Sequence, residues 1–329
     1  MGGAGGVELC AAAIRGGGLG SLPCGMLSPG EVEDQVAAVR SKADGPLNLN
    51  FFCHPMPGDA DEAAWRALLQ PFYAEFGVMP GNGGPMRLPF DDASCSAVEA
   101  IRPAVVSFHF GLPAPALLER VRATGAAIIG NATTVEEAGW LEERGADAII
   151  AQGWEAGGHS GRFLGADPAE AMGLFALLPQ IVDAVDVPVI AAGGIGDARG
   201  IAAAFLLGAS AVQLGTAFLH APEATISAAH RSRLADGHTL FTNLMTGGLA
   251  RGVHGRLIDE VGAIRPEAPP YPLASTALAP IRAAAEELGE FGFGPMWAGQ
   301  SAAMGEPRPA ADLIATLAAE ALALLGAGA

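Results

Sequence analysis

Residues 187–219 read VPVIAAGGIGDARGIAAAFLLGASAVQLGTAFL. An apolar run, two glycines, an aspartate suited to cap a helix, an alanine-rich segment closed by Gly208 and a second apolar run make one strand–loop–helix–strand unit. Strands apolar throughout belong to a parallel sheet covered on both faces. The same phrase recurs upstream. Candidate strands are GLGSLPC (18–24), LNLNFFC (47–53), AVVSFHF (104–110), AAIIGNA (126–132), DAIIAQG (147–153), VPVIAAGGI (187–195) and AVQLGTAF (211–218). Amphipathic stretches such as PAPALLERVRATG and TVEEAGWLEERG stand between them. The pattern predicts an α/β fold, a (β/α)8 TIM barrel in which seven strands are visible. A doubly wound open sheet is the weaker reading, because no G-x-G-x-x-G follows an early strand. In a barrel, chemistry belongs at the C-terminal ends of the strands.

Two segments break the rhythm. Residues 54–102 carry a helix, DADEAAWRALLQPFYAEFG, and a Gly/Pro loop, and residues 222–300 mix TGGLARGVHGRLIDEVG with a proline-rich RPEAPPYPLA. Long excursions of this kind form lids or caps. The expected organisation is a barrel over 1–221 with an insertion at 54–102, a small cap or lid over 222–300, and a C-terminal helix over 301–329 packed on the barrel.

Composition narrows the function. A net charge of −17 with Lys42 as the single lysine leaves no basic patch for nucleic acid or an anionic membrane. It also disfavours Schiff-base chemistry and phosphate-loop nucleotide hydrolysis. The partner is expected to be a small molecule, and an anionic group on it must be held by backbone N–H groups, helix N-termini or isolated arginines. Cys10, Cys24, Cys53 and Cys95 have no C-x-x-C spacing and read as reduced thiols of a cytoplasmic protein. The N-terminal MGGAGGVELC lacks signal-peptide features. The uncharged run 200–219 is split by Gly208 into a helix and a strand, which argues against a membrane span. The oligomeric state is open, with a homodimer among the options.

The polar residues cluster at predicted strand ends: Asn50, His109, Asn131, Gln152, Gly193 and Gly194, and the run Gln213, Leu214, Gly215, Thr216. Taken singly, each is better explained by a turn or a rim hydrogen bond; together they suggest a polar planar ligand. After the fifth strand comes AQGWEAGGHSGRF (151–163), where Gly157 and Gly158 clear space beside His159. Glycines there let the backbone approach something flat or anionic, and an imidazole among them can exchange a proton with it. The competing reading is a loop with a capping histidine. His109 divides evenly between a buried rim histidine and a contact in the substrate pocket. The glycines after the sixth and seventh visible strands suit a phosphate. No histidine pair has zinc-ligand spacing, so no metal is expected.

GGLGSLP, LNFF, AQGWEAGGHSG, VIAAGGIGD, VQLGTAFL and the late MWAGQS resemble, in order and spacing, segments of the nitronate monooxygenases, also called 2-nitropropane dioxygenases. The resemblance covers nearly the whole chain. It implies an FMN-dependent barrel that oxidises alkyl nitronates, with nitroalkanes as further substrates, by O2 to a carbonyl compound and nitrite. By position it implies FMN binding at Asn50, Gln152, Gly157, Gly158, Gly193, Gly194 and Gln213 to Thr216, with His159 as the catalytic residue over the ring. The nearest rivals are NAD(P)H-dependent flavin reductases: the enoyl-acyl carrier protein reductases, which share the AGGH loop, and the quinone reductases of the same superfamily. A non-catalytic flavin-binding scaffold is the third alternative. Tyr73 and Tyr271 are the only tyrosines, fewer than the resemblance leads one to expect in the pocket, which leaves the substrate shape open. The resemblance also implies a first strand ahead of GGLGS, so most of strand 1 is apparently missing and the functional start is expected upstream of Met1.

Overall fold

The computed structural model describes residues 2–58, 60–81, 86–165 and 167–326. In chain order the elements are α1 (Val7–Arg15), β1 (Gly20–Pro23), α2 (Pro29–Lys42), β2 (Leu47–Phe52), α3 (Ala63–Phe76), α4 (Asp92–Ile101), β3 (Val105–His109), α5 (Pro115–Ala123), β4 (Ala127–Ala132), α6 (Val135–Glu143), β5 (Ala148–Gln152) and β6 (Gly158–His159). They continue as α7 (Leu174–Val182), β7 (Val189–Ala192), α8 (Ala198–Leu206), β8 (Ala211–Gln213), α9 (Ala228–Leu234), β9 (Thr239–Thr242), β10 (Ala250–Val253), α10 (Arg256–Val261), α11 (Ala274–Glu287) and α12 (Ala310–Gly326).

All seven apolar runs are strands of one parallel sheet, ordered β1, β2, β3, β4, β5, β7, β8. The last is shorter than its apolar run, because the chain turns at Leu214 and enters a 3-10 helix over Thr216–His220. The sheet curls into a TIM-barrel-like α/β fold with β1 and β8 as its edges, and among the described residues no strand joins those edges. The helical layer is nevertheless continuous past the opening: α12 packs on α8 and on α1, and α1 packs on β1 and α2. No sequence-based expectation marks α1 as a helix. Local chemistry explains several boundaries. Ser28 and Glu31 form a reciprocal capping box at the start of α2, and Thr134 and Asp197 accept amide hydrogens at the starts of α6 and α8. The run 200–219 divides between α8 and β8, and no described helix is long and apolar enough to cross a membrane.

The core between sheet and helices falls into two clusters, one around Leu22, Leu49, Val106 and Ile128, the other around Leu141, Ile149, Leu177 and Ala191. Parts of the segments 54–102 and 222–300 meet each other through α3 and α11. Trp65 and Tyr73 of α3 are fully buried, donating from Nε1 to the Ala274 carbonyl (3.1 Å) and from the hydroxyl to the Ala277 carbonyl (2.6 Å) of α11. Phe293, Leu257 and Leu278 complete that third core. β6, β9 and β10 form a separate antiparallel sheet of order β6, β10, β9.

Candidate active site

The parallel register sets the polar strand ends side by side. Asn50 stands opposite Ser107, Phe52 opposite His109, and Gln152, Ala192 and Gln213 lie at one level across β5, β7 and β8. Asn50 is anchored from below: its Nδ2 donates to Ser107 Oγ at 2.9 Å, and Asn48 Nδ2 donates to the same hydroxyl at 2.9 Å.

His159 does not sit in a loop. Gly158 and His159 form a short strand paired with Arg251 and Ala250 of β10, so the segment 222–300 holds the histidine in place. Gln152 locks the strand to the barrel. Its Nε2 donates to the His159 carbonyl (2.9 Å), while its Oε1 accepts from Gly161 N (2.8 Å) and Asn131 Nδ2 (3.0 Å). His109 Nε2 donates to the same carbonyl at 3.3 Å, which fixes that ring's tautomer. His159 Nε2 lies 2.8 Å from the hydroxyl of Thr246, a residue that is 1% exposed. The stretch around MWAGQS acts as a strap: Gly299 N donates to Thr216 Oγ1 (2.8 Å), Gln300 N to the Glu155 carbonyl (2.9 Å), and Val253 N to the Met296 carbonyl (2.9 Å). A Cβ on Gly157 would lie 2.5 Å from Gly299 N and 2.6 Å from the Ala298 carbonyl carbon. Only glycine permits this approach.

Around His159 the rings of Tyr271 (5.1 Å), Trp297 (5.4 Å) and Phe110 (6.1 Å) form an aromatic wall, and His54 closes on Tyr271 at 4.7 Å. His54, Thr246, Tyr271 and Trp297 escape sequence reading because they come from the two inserted segments. The one available signal was that Tyr271 lies in a rigid proline-rich stretch. Burial, then the charge of Arg87, holds His159 well below its ordinary pKa, so the ring is neutral. Burial likewise brings His109 and His230 down to about 4 and lowers His54.

A histidine whose folded pKa lies below its unfolded value binds fewer protons folded than unfolded. Stability is therefore expected to fall as pH drops from about 6.5 toward 4, before most carboxylates titrate. Thermal melts at intervals across that range check it; a Tm flat between pH 6.5 and 5 would show that these rings do not govern acid stability.

On the β7–β8 side, Gly193 (φ 112°) and Gly194 (φ 69°) take the chain through a backbone conformation that favours glycine. Among the described residues the amides of Gly193, Gly194 and Gly215 donate no hydrogen bond. The N-terminus of α8 is different: Asp197 already accepts from the amides of Arg199 and Gly200. The first turn of α8 thus has those two amides engaged, whereas the glycine amides after β7 and β8 are not.

The nitronate monooxygenase family model matches residues 1–320. The chain belongs to the nitronate monooxygenase family. It is 41% identical over 326 residues to a nitronate monooxygenase from Pseudomonas aeruginosa, covering 95% of this chain and 92% of that one. A nitronate monooxygenase from Paraburkholderia phytofirmans is 40% identical over 330 residues, covering 95% and 88%. Among solved structures, nitroalkane oxidase from Streptomyces ansochromogenes superposes with TM-score 0.92 at 36% identity, covering all of this chain and 95% of its own. FabK from Thermotoga maritima superposes at 0.74 with 26% identity, covering 99% and 92%. Membership of the family makes this chain an oxidoreductase.

Proposed function

We propose that this protein uses FMN to oxidise alkyl nitronates with O2, giving a carbonyl compound and nitrite, and that it deprotonates nitroalkanes to reach the same species. The observation that carries the reading is a neutral, half-buried imidazole on a strand pinned to the barrel mouth and walled by Tyr271, Trp297 and Phe110. The residues present fit the cofactor. The unengaged amides of Gly193, Gly194 and Gly215, with Thr216, suit its phosphate. Asn50, Gln152, Gln213 and Leu214, with the side-chain-free backbone of Gly157 and Gly158, suit its polar ring system.

FMN would supply electron transfer between nitronate and oxygen. The chain's own groups do the rest. Thr246 fixes the rotation of His159; with its proton on Nε2 the ring donates to that hydroxyl and leaves Nδ1 as the proton acceptor. Gln152 and His109 hold the backbone of His159 through its carbonyl, so the ring cannot retreat when it gains charge. The aromatic wall covers part of the His159 ring, and a bound cofactor and substrate would complete the exclusion of water that strengthens each charge interaction inside.

Cofactor released by heat is expected to be FMN and not FAD, since the unengaged amides of Gly193, Gly194 and Gly215 suit a single phosphate group and no G-x-G-x-x-G follows an early strand. Chromatography of the supernatant beside both standards decides, and FAD would sink the proposal. Aerobic turnover of a nitronate, run beside anaerobic NADH oxidation, tests the activity: rapid anaerobic NADH oxidation without nitronate turnover would make the protein a flavin reductase.

A further inference from the structure

Among the described residues two positions other than glycine have a positive φ, Arg102 (49°) and Phe110 (69°). Arg102 is the C-cap of α4, where a left-handed residue ordinarily ends a helix. Phe110 ends no helix. It follows β3, and a bulky side chain in this backbone region is strained, a state that persists only where the surroundings impose it.

The surroundings impose it through the next residue. Gly111 is left-handed as well (φ 90°), and a Cβ there would lie 3.3 Å from the ring of Phe163. Phe163 is itself fixed: its amide donates to the fully buried Glu137 at 2.6 Å, and its ring packs edge-on against Trp140 at 5.0 Å. The bend after β3 sets the Phe110 ring beside the site. Its centroid lies 5.2 Å from Tyr271 and 6.1 Å from His159, and Tyr271 lies 5.1 Å from His159, so the three rings close a triangle. Rings at these separations are in van der Waals contact, and no substituent passes between them. His109, Phe52 and His54 flank Phe110 at 4.5, 5.8 and 6.1 Å, which leaves the ring nowhere to retreat. With five rings around it, Phe110 is still only partly buried. A strained ring so firmly packed and yet open in part is a wall of the site rather than a piece of core.

We propose that Phe110 determines specificity by limiting the bulk of the group on the nitronate carbon, so that small unbranched alkyl nitronates are accepted and aryl or branched ones are refused. This rests on reading the surroundings of His159 as the nitronate site.

Phe110→Ala and Phe110→Gly remove the same ring and differ in how well they tolerate a left-handed backbone. The test takes both holoproteins beside the parent, with the nitronates of phenylnitromethane and nitroethane as substrates. In both variants the ratio of kcat/KM for the phenyl over the ethyl substrate is expected to rise about tenfold or more, by the same factor, while Phe110→Gly has the higher Tm of the two. A general weakening of the fold would lower both rates and leave the ratio where it was. An unchanged ratio, or a rise in one variant alone, would overturn the proposal. Benzene, which has no reactive group, reads the same space without turnover: it should raise the Tm of both variants and leave that of the parent unchanged. No rise in either variant would likewise overturn it. Benzene binding by the variants of a protein that turns over no nitronate would remove the nitronate reading and leave Phe110 as the wall that limits ligand size.

Discussion

Replacing His159 by asparagine is expected to lower turnover of a neutral nitroalkane by about 10²- to 10⁴-fold while the cofactor stays bound. The asparagine keeps the backbone carbonyl that Gln152 and His109 grip, and keeps the pairing with β10, because both are main-chain contacts. What it removes is a nitrogen that can accept a proton from the carbon acid. A preformed nitronate has already lost that proton, so its rate should fall much less. The ratio of the two losses isolates proton transfer from damage to the pocket. In the parent, the acid limb of kcat/KM for the nitroalkane should lie below pH 6.5, since burial and the Arg87 charge disfavour the imidazolium. Thr246→Val should act in the same direction more weakly, by freeing the ring's rotation. Equal losses on both substrates would assign His159 to shaping the pocket, and no loss on either would leave it a structural residue of β6.

The parts of this protein that repeat are the parts a sequence displays. β3 and β5 are mostly apolar runs of five residues that close on His109 and Gln152, and β2 and β4 carry Asn50 and Asn131 within two residues of their ends, so both the strands and their polar ends are legible from period and punctuation. The parts that do not repeat are hidden for a physical reason. The partners of His159 are brought to it by long-range pairing: Thr246 by the turn before β10, Trp297 by a bridge to Gly252, and Tyr271 by the approach to α11. None of these contacts has a local period. The same holds for His54, which shows no constellation in the sequence and is placed by its bond to the Arg87 carbonyl and its packing on Tyr271. β6 was illegible because two residues cannot carry a period of two; the strand exists only because β10 offers an edge. α1 is marked by VELCAAAIR, whose buried Leu9, Cys10, Ala12 and Ile14 look like filler between glycine runs until α12 and α2 cover them.

Gly157→Ala is expected to cost about 3 kcal/mol of stability, near the upper end for overpacking, and to detach the histidine strand. The added methyl would meet Gly299 N at 2.5 Å and the Ala298 carbonyl carbon at 2.6 Å, and both are backbone atoms that cannot rotate away. Relief requires moving the strap, which surrenders the Gly299 N bond to Thr216 and the Gln300 N bond to the Glu155 carbonyl. Those bonds tie the end of β8 to the loop before β6, so cofactor retention should fall together with Tm. Gly158→Ala separates space from strain. Gly158 has φ 78° with nothing within 4 Å of an added Cβ, so its cost should be only the left-handed penalty of about 1–2 kcal/mol. Gly299→Ala approaches the same contact from the other side, at 2.7 Å from the Glu155 carbonyl and 2.9 Å from Gly157 N. If one displaced strap accommodates both methyls, the double variant loses less than the sum of the singles. Denaturant melts of the four proteins beside the parent provide the cycle. A Gly157→Ala protein no less stable than Gly158→Ala, or strict additivity with Gly299→Ala, would show that the two backbones are not in the contact that sets His159 in place.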